Sequence, residues 1–281
     1  MKLLHVTRLQ RAQRALRSLP DRANRRRKHL RQRLRYGFGP EHVVFLFGGR
    51  RSGGSLLARA LDGSAAARVY DKHNVMAYQG GHLRSTQWLR PLVAMNGAPT
   101  VLFQALDDSH RAEQVLVEWP EARVIWVYRA WRDAVNATVV RWGQRHAEVI
   151  DALVHGEVDR VHGGEGLSDD ALATLRTHWR PGLGPSDASA LHWWLWNHRV
   201  DAAELATNPR VHIVRYADLI ALPDRTVAAL FDFVDLPFEP EVVGRLFQRP
   251  LVRRPPPAVE PHIAALCDAL EARLDEGRAV Q

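Results

Sequence analysis

Residues His42–Phe47 (HVVFLF) constrain this chain more than any other stretch. A short apolar run rich in β-branched and aromatic residues, with no polar face, reads as a strand buried on both sides. A parallel sheet covered by helices buries strands in that way. The run stops at the glycine-rich stretch Gly48–Ser55, after which LLARAL (Leu56–Leu61) begins a helix. The same alternation returns further on. Thr100–Leu106, Arg123–Tyr128 and Val211–Tyr216 read as strands, followed by Ser109–Trp119, Asp133–Arg145 and Arg225–Val234 as helices. Strands alternating with helices predict parallel pairing and right-handed crossovers. The expected class is α/β: a P-loop-like three-layer fold with a central parallel sheet flanked by helices.

The loop after the first strand carries the chemistry. Gly48-Gly49-Arg50-Arg51-Ser52-Gly53-Gly54-Ser55 has the spacing of the phosphate loop G-x-x-x-x-G-K-[ST], with Gly54 in place of the lysine. Successive backbone N–H groups and the helix N-terminus still surround an anion, and glycines let the backbone approach it. The missing lysine is the group that reaches the outer phosphates of a nucleoside triphosphate. A cation stands further back instead, at Arg51. That pattern argues against an ATPase or kinase and leaves a divergent P-loop nucleotide kinase as the weakest alternative. A plain glycine turn before a helix is the structural alternative for the loop taken alone.

With 281 residues, 46% hydrophobic and 25% charged, the chain has ample material for one α/β domain. The single cysteine, Cys267, excludes an intrachain disulfide and a cysteine-based zinc cage, and favours a reducing compartment. No run approaches the roughly 18 apolar residues of a membrane span. Arginines interrupt the N-terminus where a secretory signal needs an apolar stretch, so the expected location is cytoplasmic. Charge is unevenly spread. Residues 1–40 hold 13 Lys+Arg and one acid, a balance of +12, whereas the other 241 hold 26 Lys+Arg and 30 Asp+Glu, a balance of −4. We therefore divide the chain into a basic extension, 1–38, and a domain, 39–281. The extension reads as one or two helices broken near Pro20. It is either a solvated tail or an arm for an anionic surface, such as the inner face of a membrane or a polyanion. Nucleic acid is not expected, since few aromatics interleave with the arginines. Residues 143–190 show little periodicity apart from a short helix at Ala171–Trp179, and read as an insertion that serves as a lid.

Three segments resemble the sulfotransferase superfamily. Arg51-Ser52-Gly53-Gly54-Ser55 stands where that family places a basic residue before S-G-T-T or G-G-T. The resemblance implies that Arg51 offsets charge on the bridging oxygen and 5′-phosphate of 3′-phosphoadenosine 5′-phosphosulfate (PAPS). Arg50, Ser52, Gly53, Gly54 and Ser55 would then cradle the phosphosulfate. RVIWVYRAWRDAVNATVVRW (123–142) is similar to the second signature, with Arg129 as the family's 3′-phosphate arginine and Arg132-Asp133 as its basic-acidic pair. The family's serine is replaced by Ala137, leaving Thr138 or Asn136 to compensate. Residues 193–240 resemble the R-Y-E-D-L region, which makes Tyr216 an adenine contact. Arg253 and Arg254 fall where the family often sets a basic loop.

By analogy with phosphoryl transfer, sulfuryl transfer is mostly positioning and charge stabilisation, so no metal is expected. An alcohol acceptor also needs a base. The family's K-T-H triplet is Gln104-Ala105-Leu106 here, so Asp107 and Asp108 become the leading candidates, with His110, His73 and Asp71 behind them. The acceptor class left open is saccharide, lipid or small molecule, through a hydroxyl or amine. The tryptophans at 193, 194 and 196 are either core or an acceptor platform. An inactive binding module on the same fold is the main competing reading.

Overall fold

The computed structural model describes residues 19–164, 166–202, 204–244 and 254–279. Arg253 and the first half of the basic extension lie outside them. Five strands form one parallel sheet: β1 (His42–Gly48), β2 (Ala67–Tyr70), β5 (Thr100–Gln104), β6 (Arg123–Tyr128) and β7 (Val211–Arg215). Their order is β2-β5-β1-β6-β7, and every pairing is parallel. A two-stranded hairpin, β3 (Tyr78–Gln79) with β4 (His82–Leu83), stands apart from it.

The HVVFLF run behaves as its composition demands. Val43, Phe45 and Phe47 join one buried cluster, while Val44 and Leu46 join the other. Alternate side chains of a strand point to opposite faces, so a strand apolar on both faces needs a layer of helices on each. One layer includes α2 (Gly54–Gly63) and α10 (Pro223–Phe233), which bring Leu57, Leu61, Val227, Leu230 and Phe231. The other includes α5 (Trp131–Trp142), α6 (Arg145–Val154), α7 (Asp169–His178), α8 (Pro185–Ala202) and α12 (Pro261–Ala279). Ile150, Leu153, Leu175, Leu195 and Leu270 fill that core. The α/β class with helices on both faces is thus the observed fold. The remaining helices in chain order are α1 (Leu19–Tyr36), α3 (Thr86–Ala94), α4 (Ala112–Glu118), α9 (Tyr216–Ala221) and α11 (Glu241–Gly244). No described helix is long and apolar enough to cross a membrane.

Three expectations need correcting. Residues 143–190 are not aperiodic: Gly143, at φ 55°, separates α5 from α6, and α6 and α7 bury apolar faces in the main core. The strand expected to end at Tyr216 ends at Arg215, and Tyr216 opens α9. The basic extension does not stop short of the domain. Lys28 Nζ donates to the Asp62 carbonyl at 2.5 Å, and Gln32 Nε2 donates to the carbonyls of Ala65 and Ala67, both at 2.9 Å. The helix backbone passes so close to Gly97 that a Cβ there would meet Arg33 Cα at 2.7 Å.

Candidate active site

The chain runs from β1 outward to β2, returns to β5, then crosses β1 to β6. Sheet order therefore reverses at β1, and open α/β sheets bind ligands outside the carboxyl ends of their strands at such a point. The loop after β1, Gln104 at the end of β5, Arg129 after β6 and Tyr216 after β7 all lie at carboxyl ends of strands.

The loop's backbone is forced by close packing. A Cβ on Gly48 would sit 2.1 Å from the Val127 carbonyl oxygen, with φ at 133°. Ser109 Oγ clasps the same residue, accepting from Gly48 N–H and donating to its carbonyl, both at 2.9 Å. Gly53, at φ 101°, begins α2, and a Cβ on it would strike the Tyr216 ring at 2.2 Å. On Gly54 a Cβ would meet Leu106 at 2.6 Å, so a lysine at the phosphate-loop position would need Leu106 to move. The first turn of α2 leaves orphan N–H groups at the end of this loop.

Around that anion-shaped turn the side chains divide sharply. Arg51 is exposed, takes the left-handed φ of 68°, and has no ion-pair partner among the described residues. Ser52 is buried, and its hydroxyl has no hydrogen-bond partner among the described residues. Ser55 Oγ accepts from Gln104 Nε2 at 2.8 Å. The Arg129 guanidinium lies 4.8 Å above the Tyr216 ring, its Nε buried and without a partner among the described residues. The Arg129 carbonyl accepts from Trp193 Nε1 at 2.8 Å, which fixes the base of that side chain. Arg50 is different: its Nε meets Asp107 Oδ1 at 2.5 Å.

A cleft of about 330 Å³ opens beside the loop, with Arg50, Arg51, Arg59, Lys72 and Asp107 in its wall. His73 and Asp71 reach it too, whereas Asp107 has Lys72 Nζ at 3.9 Å from its second oxygen. Asp108 reaches the cleft wall but is buried: Oδ2 accepts from Leu83 N–H at 2.9 Å, and Oδ1 faces His162 Nε2 at 2.8 Å. That environment removes Asp108 from the free bases the sequence suggested.

Thr138 is likewise not a phosphate ligand as placed. It is buried, its hydroxyl donates back to the carbonyls of Ala134 and Val135 at 2.9 and 3.0 Å, and it faces α8. Asn136 is also engaged, donating from Nδ2 to the Pro255 carbonyl at 2.9 Å. Arg132 turns away from the loop to a bidentate pair with Asp268 of α12 at 2.6 and 3.0 Å. That pair, together with Trp131 Nε1 at 2.7 Å, holds the Asp268 carboxyl below its usual range.

Sequence reasoning missed the neighbourhood behind the loop. His146 and His192 stack at 3.9 Å beside Gly49 and Arg50, and His146 Nδ1 lies 3.1 Å from Ser189 Oγ. Burial, with Arg50 and Arg145 adding to it, lowers the His146 imidazole to about 4. The tryptophans Trp193, Trp194 and Trp196 are all buried. Only the density of His and Trp between 142 and 198 hinted at this region.

No family model matches the chain, and no curated protein sequence matches it. Among solved structures it is similar to a sulfotransferase from Alicyclobacillus acidocaldarius, at 15% identity over 86% of this chain and 94% of that one, with a TM-score of 0.46. Sulfotransferase STF9 from Mycobacterium avium gives 14% identity over 84% and 76%, with a TM-score of 0.48. The mouse sulfotransferase SULT7A1 complexed with PAP gives 12% over 75% and 64%, at 0.41.

Proposed function

We propose that this protein is a sulfotransferase that moves the sulfuryl group of PAPS to a hydroxyl or amine. The observation that carries the reading is the loop after β1. It offers orphan amides and, among the described residues, an unpartnered Ser52 hydroxyl and an unpaired Arg51 at the switch point, while Leu106 crowds the position where a kinase carries its lysine. A nucleotide with a second phosphate suits the rest of the edge. Tyr216 is the aromatic residue that would border an adenine, and Arg129 over its ring holds a planar fork whose buried Nε has no acceptor among the described residues; such a fork matches phosphate oxygens two at a time.

In the step itself, the acceptor oxygen or nitrogen attacks sulfur from the side opposite the bond to the 5′-phosphate. That S–O bond breaks, and its electron pair leaves with adenosine 3′,5′-bisphosphate. Arg51 and the amides of α2 stabilise the charge gathering on the departing phosphate. The acceptor's proton passes to Asp107, the member of the candidate pair that is not committed to a backbone amide and whose second oxygen, among the described residues, has only Lys72 Nζ, at 3.9 Å, beside it. Arg50 holds the other oxygen in place.

An inactive binding module remains the second reading, favoured by one observation: neither Thr138 nor Asn136 is free to replace the missing serine. Titration calorimetry with adenosine 3′,5′-bisphosphate, ATP and AMP tests the site. The bisphosphate is expected to bind most tightly, and preference for ATP refutes the proposal. Labelled PAPS incubated with lipid and glycan extracts then separates the two readings, because only an active enzyme labels a product.

A further inference from the structure

Behind the cleft wall, three chain segments bring metal-ligating atoms to one point. His82 opens β4, Asp108 follows the turn after β5, and His162 follows the short turn Val158–Arg160. We propose that His82 Nδ1, His162 Nε2 and one oxygen of Asp108 hold a single zinc-type divalent cation at the rim of the cleft.

The three ligand atoms all lie within 4.8 Å of one another. Asp108 Oδ1 is 2.8 Å from His162 Nε2 and 3.3 Å from His82 Nδ1. Metal–ligand bonds of about 2.0–2.2 Å set the corners of a tetrahedron roughly 3.3–3.6 Å apart, so a cation enters this set with shifts of a few tenths of an ångström to about one. Packing holds the donors close together. The His82 and His162 rings pack with centroids 3.5 Å apart, and His110 meets the His162 ring edge-on at 4.9 Å. Asp108 Oδ2 is fixed by Leu83 N–H, an outer partner of the kind that aims a ligating carboxylate.

A second feature points to a ligand. His82 Nδ1 is buried and makes no hydrogen bond among the described residues although a carboxylate oxygen faces it. A cation between the two atoms satisfies both. The set also selects its metal: two imidazoles and one carboxylate suit zinc, whereas magnesium and calcium prefer all-oxygen shells. Three protein ligands leave a fourth position for water, and His82 and His162 are each about two-fifths exposed, so the ion has a way in. The single cysteine excludes a thiolate cage but says nothing against histidine ligands. The ion would clasp the β3–β4 hairpin and the turn that carries His162 to the end of β5, next to Gly81 in the cleft wall.

The test uses the full chain, stripped with a chelator and titrated with zinc chloride by calorimetry. One equivalent is expected to bind. His82→Gln and His162→Gln are each expected to weaken it by more than the roughly 100-fold that loss of an outer partner alone can cost. His155→Gln, on the exposed end of α6, is expected to leave binding unchanged. Cobalt substituted into the wild type gives an independent reading: visible bands of a four-coordinate, histidine-ligated ion support the site. Zinc binding that is absent, or equal in wild type and both ligand variants, overturns it. So does a cobalt spectrum of a six-coordinate aquo ion. None of these readouts involves sulfuryl transfer, so the site stands or falls separately from the proposed activity.

Discussion

The two sides of the cleft treat charge in opposite ways. At the loop and the end of β6, Arg51 has no acid among the described residues, and Arg129 rests on an aromatic ring with its Nε unpartnered among them. In the cleft wall and behind the loop the polar groups described above have internal partners: Asp107 takes Arg50, Asp108 takes Leu83 and His162, His146 meets Ser189, and Thr138 bonds its own helix. Cations without partners at the end of a sheet are positioned for an anion that arrives from outside. Paired carboxylates and back-bonded hydroxyls hold structure instead. Under the proposed function, the difference means that the donor half is built ahead of binding, and that the acceptor half keeps little unspent chemistry beyond Asp107.

The largest effect expected from this contrast is at Arg51. Arg51→Gly relieves a left-handed backbone while removing the cation, so transfer is expected to fall about 10²–10³-fold as the melting temperature holds or rises. Unchanged turnover in a donor-consumption assay would break the assignment of that side. Next comes acid. The folded His146 imidazole titrates near 4 against 6.5 in the unfolded chain, chiefly through burial. Between those values the unfolded state binds the extra proton. Its contribution to stability is therefore intact above pH 6.5 and lost as pH falls toward 4, about 3 kcal/mol in all. His146→Gln should flatten part of that slope in denaturant titrations, and an unaltered slope would mean the imidazole is not the group responsible.

A smaller change is expected at Arg129. Arg129→Ala should weaken adenosine 3′,5′-bisphosphate by roughly 10–100-fold, the worth of a charged hydrogen bond, and AMP by much less. Equal losses for both ligands in calorimetry remove Arg129 from the 3′-phosphate. The smallest concerns the missing serine. Ala137→Ser should tighten the bisphosphate at most a few-fold, and a marked weakening would show that the side chain points elsewhere along α5.

What could be read from the sequence follows the same division. The strand at 42–47 and the loop after it were legible because burial on both faces and a glycine turn leave local marks. Arg51 and Tyr216 could be named because each lies within a residue or two of the end of a strand or its loop. Thr138 could not be judged, since one step along a helix turns a side chain by about 100° and only packing against α8 reveals the outcome. The helix α8 itself carries buried residues on all its sides, so its pattern has no periodic stripe to detect. The commitments of Asp108 were hidden for another reason: its partners His82 and His162 are 26 and 54 positions away.

Gln32 carries a consequence for how copies of this chain meet. Strand β2 is the last of its sheet, and the amide of Gln32 covers carbonyls at its start, with α1 anchored beside them by Lys28. An uncovered strand edge invites another chain to add on. A protein cut back to Gly39 loses this cover along with its positive charge, and should turn up in light scattering as a self-associating species before it shows any fault in its chemistry. The most basic helix described in the molecule thus also covers part of a strand edge.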